Sequence, residues 1–198
     1  MQTILGSFLF LVLLRTGTSL ECEVCNGMGN SCTGSMMTCE PGLDTCAIIL
    51  TENSLAGERI QTVMKQCYYS NACNSLTTDM NLGQGRYVRT IVSCCEGDAC
   101  RTTSPQISSA MQPNGKQCPA CYSLSASGCD IVTADCDGEE NYCLDMVQKV
   151  TYGKFVVNVS MKGCVTENVC AAKEGQTSSS GIDTNIMKVS CTPAPVAA

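Results

Sequence analysis

The spacing of the cysteines constrains the fold of this chain more than any other feature of its sequence. Eighteen cysteines occur in 198 residues, and they fall into two series. From Cys22 the successive intervals are 3, 7, 7, 7, 21, 6 and 21 residues, and from Cys118 they are 3, 8, 7, 7, 21, 6 and 21. The two series differ by one inserted residue, so the chain is a duplicated module.

The first module has two more cysteines than the second. It ends in the segment Cys94-Cys95-Glu96-Gly97-Asp98-Ala99-Cys100, whereas the second module ends shortly after Cys191. The two modules therefore hold ten and eight cysteines. Both numbers are even, so each module can close its disulfides internally.

An apolar leader precedes the first cysteine. The apolar run at residues 4–14 is shorter than the ~20 residues that span a bilayer, and the small residues Gly17 and Ser19 follow it. We interpret residues 1–19 as a signal peptide that is cleaved after Ser19. We therefore expect a secreted, extracellular protein whose cysteines form disulfides. The C-terminal tail lacks the apolar segment of a lipid anchor, so we expect no membrane anchor.

The composition limits both the core and the chemistry. Trp is absent and Phe occurs three times, so disulfides, at ~2–4 kcal/mol each, must supply stability that a small core cannot. The net charge of −6 disfavours nucleic acid and an anionic membrane as partners. His is absent, which excludes Ser-His-Asp and Cys-His nucleophiles and histidine metal ligands. We expect no enzyme activity, no cofactor and no metal.

Two patterns leave other chemistry open. The acidic segment at residues 134–141 contains Asp135, Asp137, Glu139 and Glu140, and a carboxylate pair can carry out acid–base catalysis. We interpret this segment as a solvated acidic loop between two cysteines. The pairs Cys22/Cys25 and Cys118/Cys121 have the spacing of zinc or redox motifs. In an oxidising compartment, and within a repeat, we interpret them as structural disulfides.

Strands are predicted in the long intervals between cysteines. In the second module Phe155, Val157 and Val159 alternate with Val156, Asn158 and Ser160, which is typical of a half-buried strand. Similar patterns predict strands at 46–52, 59–67 and 86–94 in the first module and at 144–151, 155–162 and 185–191 in the second. The fold class is therefore small, disulfide-rich and all-β, with antiparallel hairpins that extend from one cross-linked end.

A polar segment lies between the two modules. Residues 102–117 are mostly small and polar, and they include Pro105, Pro113 and the turn pair Asn114-Gly115. This composition predicts a linker. A passive spacer and a binding segment both remain open as roles for it.

These features together resemble a known family. The Cys22-x2-Cys25 start, the long central interval and the Cys94-Cys95-x4-Cys100 ending resemble the three-finger superfamily of the urokinase receptor, the lymphocyte-antigen proteins and the snake three-finger toxins. Two tandem modules, the second lacking its last cysteine pair, joined through Pro113-Asn114-Gly115-x-x-Cys118-Pro119, are similar to the gamma-type phospholipase A2 inhibitors of reptile serum. The resemblance implies tandem three-finger (urokinase-receptor-like) domains at residues 20–101 and 118–198.

The resemblance also implies a disulfide pairing. The nine implied pairs are Cys22–Cys46, Cys25–Cys32, Cys39–Cys67, Cys73–Cys94, Cys95–Cys100, Cys118–Cys143, Cys121–Cys129, Cys136–Cys164 and Cys170–Cys191. Many three-finger domains have an Asn after the last cysteine that ties the loops together. Here Arg101 occupies that position, and the second module has no equivalent. We therefore expect the second module, with one bridge fewer, to be the looser half.

The resemblance implies binding rather than catalysis. The implied partner is secreted phospholipase A2, and the family implies a homo- or hetero-oligomer. The alternative is a secreted signalling protein or pheromone similar to the amphibian sodefrin-precursor-like proteins, which acts on a receptor. The candidate binding residues are Pro105, Ile107, Met111 and Pro113 in the linker and Tyr68, Tyr69 and Tyr87 in the first module.

One modification site is predicted. Asn158-Val159-Ser160 is an N-glycosylation sequon. Strand alternation places Asn158 on the face opposite Phe155, Val157 and Val159, which is the expected outward face. A glycan and a plain surface Asn both remain open.

Overall fold

The computed structural model describes residues 19–73, 77–97, 99–107, 112–125, 128–179 and 182–197. Residues 1–18 of the predicted signal peptide and the predicted binding residue Met111 lie outside these ranges. The described strands are β1 (Glu21–Met28), β2 (Ser35–Thr38), β3 (Thr45–Asn53), β4 (Ile60–Tyr68), β5 (Thr77–Asn81), β6 (Tyr87–Cys95), β7 (Pro113–Ser123), β8 (Val132–Asp137), β9 (Tyr142–Tyr152), β10 (Phe155–Val165), β11 (Gly175–Ser179) and β12 (Ile182–Pro193). The helical elements are two 3-10 turns, Ser70–Ala72 and Glu167–Ala171, and the single turn α1 (Ala99–Thr102). No helix within the described ranges is long and apolar enough to cross a membrane.

Each module consists of three antiparallel hairpins. In module 1 these fingers are β1–β2, β3–β4 and β5–β6, and in module 2 they are β7–β8, β9–β10 and β11–β12. The third finger of each module pairs with the second, through β6–β3 and β12–β9. The predicted all-β fold of two three-finger modules is confirmed, and the strands predicted in the long cysteine intervals are all present.

Disulfides hold the fingers together at one end of each module. The structure contains nine of them, Cys22–Cys46, Cys25–Cys32, Cys39–Cys67, Cys73–Cys94, Cys95–Cys100, Cys118–Cys143, Cys121–Cys129, Cys136–Cys164 and Cys170–Cys191. These are the pairs that the resemblance implies. Several of the sulfurs are fully buried and form small clusters of their own, so the covalent bonds also take the place of an aromatic core.

The predicted linker is partly packed against module 1. Pro105 is buried, and Ile107 packs against the cluster formed by Ile48, Leu50 and Val63. The first strand of module 2 already begins at Pro113. The amide of Gln117 donates to the carbonyl of Pro195 at 3.0 Å, which attaches this end of the segment to module 2. The linker bounds of 102–117 stay a prediction.

The two modules share one continuous sheet. Strand β10 of module 2 pairs antiparallel with β5 of module 1, with Cys164 opposite Asn81 and Val165 opposite Met80. Backbone and side chain extend this contact, since Thr166 N donates to Asp79 O at 3.1 Å and Asp79 N donates to Thr166 Oγ1 at 3.1 Å. The strand order runs from β11 at one edge to β2 at the other, through this junction.

The modules also share a hydrophobic core. Leu82, at the tip of the third finger of module 1, is 1% exposed and lies in a cluster with Leu144, Met146, Val159 and other module 2 residues. Leu55 and Met80 of module 1 pack against the same cluster. Finger 3 of module 1 therefore completes the core of module 2, and the two modules form one body.

Candidate functional site

The acidic segment of module 2 lies near this junction, and one of its carboxylates is buried. Glu140 is 1% exposed, and its Oε2 accepts a hydrogen bond from the amide of Asp137 at 2.9 Å. The pKa of Glu140 is raised to about 8, mainly by burial, and the nearby carboxylates of Asp137 and Asp79 contribute to this rise. The prediction of a fully solvated acidic loop is wrong for this residue, because its side chain folds back under its own turn. Asp135 and Glu139 are exposed as expected.

An incomplete ion pair of module 1 adjoins this segment. Arg89 Nε lies 3.8 Å from Asp79 Oδ1, and neither buried atom has a hydrogen-bond partner. Burial raises the pKa of Asp79, although the charge of Arg89 opposes this rise. The guanidinium of Arg89 also lies 4.7 Å from the ring centre of Tyr87. The backbone of Asp79 bonds across the junction to Thr166, so this ion pair lies beside the pairing of the two modules.

A polar groove of about 440 Å³ runs along the junction. Tyr87, Arg89 and Pro113 line it together with Asp135 and Asp137. The hydroxyl of Tyr87 donates to Glu52 Oε1 at 2.8 Å, so this predicted binding residue already has a partner inside module 1. Within the described ranges, the sets of three close metal-ligating atoms are cysteine sulfurs, Cys22/Cys39/Cys67 and Cys118/Cys136/Cys164, all in disulfides.

The predicted binding residues do not form one surface. Pro105 is buried and Ile107 packs on the module 1 core, so neither is free to contact a partner in this arrangement. Tyr68 is half-buried at the end of β4, whereas Tyr69 is 54% exposed. Of the predicted set, Tyr69 and Pro113 remain exposed in the described part of the chain.

The sequence pattern missed an exposed apolar tip on the central finger of module 2. Tyr152, Phe155 and Val156 are 62%, 75% and 53% exposed around the turn at Gly153. We call this segment, residues 152–156, the β9–β10 tip. Phe155 was predicted to lie on the buried face of its strand, and this is wrong.

The hairpin extends beyond its pairing with β7, although β12 runs beside β9 as far as the turn, with Ile182 opposite Tyr152. Strand β7 pairs with β10 only at Ser160, Met161 and Lys162, so residues 155–159 of β10 have no register partner in β7. Side chains near the turn therefore reach solvent on both faces. The position of Phe155 immediately after Gly153-Lys154 was the signal available in the sequence, because residues next to a turn lie at the end of a finger.

Asn158 lies on the strand face opposite that of Val157 and Val159, a face on which Ser160 is only 4% exposed. Its register partner is Lys149, whereas Val157 and Val159 pair with Val150 and Gln148 on the other face. Asn158 is half-buried. Whether this sequon carries a glycan stays a prediction.

Module 1 carries a second exposed apolar area on its open face. A shallow groove of about 390 Å³ is lined by Met28, Ile49, Val63 and Met64 together with neighbouring polar residues. Met28 is 78% exposed at the end of β1. The two modules thus differ in what they present: module 1 offers a groove, and module 2 offers an exposed apolar hairpin tip.

Comparisons with known proteins bear on both modules. A family model described as phospholipase A2 inhibitor matches residues 20–102, and one described as u-PAR/Ly-6 domain matches residues 114–194. Phospholipase A2 inhibitor NAI of Notechis ater is 35% identical over 176 residues, which is 88% of each chain. A phospholipase A2 inhibitor of the gamma type from Gloydius brevicaudus siniticus is 35% identical over 94% of this chain and 96% of its own.

Similarity at this level extends to other relatives. A gamma-type phospholipase A2 inhibitor of Elaphe climacophora is 33% identical over 98% of this chain and 97% of its own. Among solved structures, mouse TEX101 aligns with 89% of this chain and 99% of its own at 16% identity and a TM-score of 0.35, which carries no weight here. The sequence relatives span both modules and the junction between them. The chain therefore belongs to the family of gamma-type phospholipase A2 inhibitors, built from two tandem u-PAR/Ly-6-type three-finger domains.

Proposed function

We propose that this protein is a secreted, non-catalytic inhibitor of secreted phospholipase A2. The observation that carries the proposal is that relatives about one-third identical over both modules are named phospholipase A2 inhibitors. The match is not confined to one module or to the cysteines alone, since it covers most of each chain. The other expectation, a signalling protein that acts on a receptor, gains no support from these relatives.

The rigid union of the two modules suits a binding protein. A shared sheet and a shared core fix the fingers of both modules relative to one another, so little orientational freedom is lost when a partner is bound. The net charge of −6 complements cationic phospholipases and would speed their association. Glu140, the carboxylate of this segment whose pKa is raised, is buried under its own turn. This burial supports a structural rather than a catalytic role for the acidic segment.

The test is a titration of secreted phospholipases with the purified protein. We expect fatty-acid release from mixed micelles to fall in proportion to inhibitor added, with an end point at a fixed molar ratio. Calorimetric titration of enzyme and inhibitor without lipid should give the same ratio. The protein alone should release no fatty acid. Unchanged activity and no heat of binding with several secreted isoforms would overturn the proposal.

The interface and the assembly state remain part of the proposal. Tyr69 and Pro113 are the two predicted contact residues that stay exposed, and each can be changed to Ser without disturbing a described core cluster. Sedimentation of the protein alone and with enzyme measures whether the inhibitor acts as a monomer or an oligomer.

A further inference from the structure

The β9–β10 tip exposes an aromatic side chain, although aromatic residues are scarce in this chain. The chain has three Phe, and two of them, Phe8 and Phe10, belong to the apolar leader. Phe155 is thus the only Phe in residues 20–198, and it is 75% exposed. Tyr152 lies directly opposite Phe155 in the hairpin register. An exposed aromatic pair in a chain with so small a core indicates a contact surface.

Strand pairing holds the β9–β10 tip in place. Strand β9 pairs along its whole length with β10 and with β12, from Tyr142 to Tyr152. Gly153 takes φ of 58° in the turn, a conformation that suits glycine and keeps the loop short. The apolar side chains therefore stay at the end of a stiff hairpin rather than folding back onto the module.

Two lysines accompany the apolar side chains. Lys149 and Lys154 are both exposed, and neither appears in an ion pair of the described residues. Asp183, on the neighbouring strand, is half-buried opposite Thr151. The end of this finger is thus apolar and net positive, although the whole chain is negative.

We propose that the β9–β10 tip docks on an anionic phospholipid surface. Aromatic side chains favour the boundary between headgroups and acyl chains, and lysines next to them are attracted to anionic headgroups. The acidic remainder of the molecule is repelled by the same surface, which orients the protein with this finger toward the lipid. The docking is reversible, since a few apolar side chains give weak attachment.

A lipid surface fits the tip better than a protein does. A stable protein interface buries about 800 Å² on each partner, and a hairpin end of five residues provides only part of this. Lipid imposes no requirement for a complementary shape. A cationic phospholipase, the enzyme class favoured by the net charge, would meet the two lysines with like charge.

The test is co-sedimentation of the intact protein with vesicles. The vesicles are phosphatidylcholine alone or phosphatidylcholine and phosphatidylglycerol at 7:3, each at low and high salt. We expect binding to the anionic vesicles that weakens with salt, and at least about tenfold weaker partitioning of the Y152S/F155S variant. K149Q/K154Q should weaken binding at low salt only. The control is M28S, which removes an equally exposed apolar side chain from module 1 and should bind as the wild type does.

Two results would overturn the inference. One is wild-type protein that stays in the supernatant with anionic vesicles, or a Y152S/F155S variant that sediments as the wild type does. The other is a Y152S/F155S variant that no longer inhibits phospholipase on a soluble short-chain substrate, which would assign the tip to the enzyme. Because vesicle binding is measured without enzyme, its failure is separate from any failure of the proposed inhibition.

Discussion

At the scale of single residues, Glu140 is expected to make stability depend on pH. Burial raises its pKa from an ordinary 4.5 to about 8. Between these values the folded protein keeps a proton that the unfolded chain has lost, so the free energy of unfolding falls as pH rises. The slope reaches at most about 1.4 kcal/mol per pH unit. We expect the urea midpoint to be higher at pH 5 than at pH 8, and Asp79, whose pKa is also raised, acts in the same direction at lower pH.

Two substitutions to glutamine, E140Q and E139Q, separate the effect of Glu140 from that of its neighbour Glu139. The E140Q variant keeps a neutral side chain of the same shape, so its stability should change little between pH 5 and pH 8. E139Q removes an exposed carboxylate one position away and should keep the wild-type slope. If E140Q retained the full pH dependence, Glu140 would not be its source, and an NMR titration of the Glu140 carboxyl would show an ordinary pKa.

The same residue shows what the local sequence could not predict. Four acidic residues between two cysteines predict a solvated loop, and the prediction is correct for Asp135 and Glu139. Glu140 differs because its carboxylate accepts a hydrogen bond from the amide of Asp137 inside the turn. In addition, Asp79 and Arg89 of the other module lie close enough to shift the pKa of Glu140. Asp79 and Arg89 are distant from Glu140 in sequence, so no local pattern predicts their proximity to it.

At the scale of elements, the strands were predictable and the pairing between modules was not. Period-2 alternation between fixed cysteines determines where strands lie and which face they bury. The β5–β10 pairing joins segments about eighty residues apart and leaves no periodic signal. Alternation also places Phe155 on the buried face of β10, but burial on that face stops short of the turn, and Phe155 is 75% exposed.

Gly163 is expected to be essential for the β5–β10 pairing. A Cβ on Gly163 would overlap the carbonyl oxygen of Asn81 and crowd the Cα of Leu82. We expect G163A to separate the two strands at a cost of roughly 1–3 kcal/mol. Hydrogen exchange should accelerate at the amides of Asp79 and Thr166, which bond across the junction.

Gly34 offers a matched control for this change. A Cβ there would overlap the carbonyl oxygen of Val24 just as severely, but inside finger 1 of module 1. G34A should therefore destabilise module 1 and leave the exchange of Asp79 and Thr166 near the wild-type rate, apart from global unfolding. Wild-type exchange at these two amides in G163A would contradict the role given to Gly163.

At the scale of the whole molecule, the cysteine series predicted two self-contained modules, and the structure joins them. The expectation that module 2 is the looser half rests on its missing bridge and stays a prediction. Leu82 of module 1 lies among Leu144, Met146 and Val159 of module 2, so the number of disulfides is not the sole determinant of the stability of module 2. Module 2 therefore takes part of its stability from the finger of its neighbour.

The L82A variant tests this dependence. Removing a fully buried leucine should lower the free energy of unfolding by about 2–4 kcal/mol. Although residue 82 belongs to module 1, we expect faster hydrogen exchange mainly in β9 and β10 rather than in β3 and β4. L124A, which truncates a leucine that is 63% exposed in module 2, should leave both pairs of strands unchanged. Faster exchange confined to β3 and β4 would show that Leu82 supports only its own module, and the two halves would then be joined by the β5–β10 pairing alone.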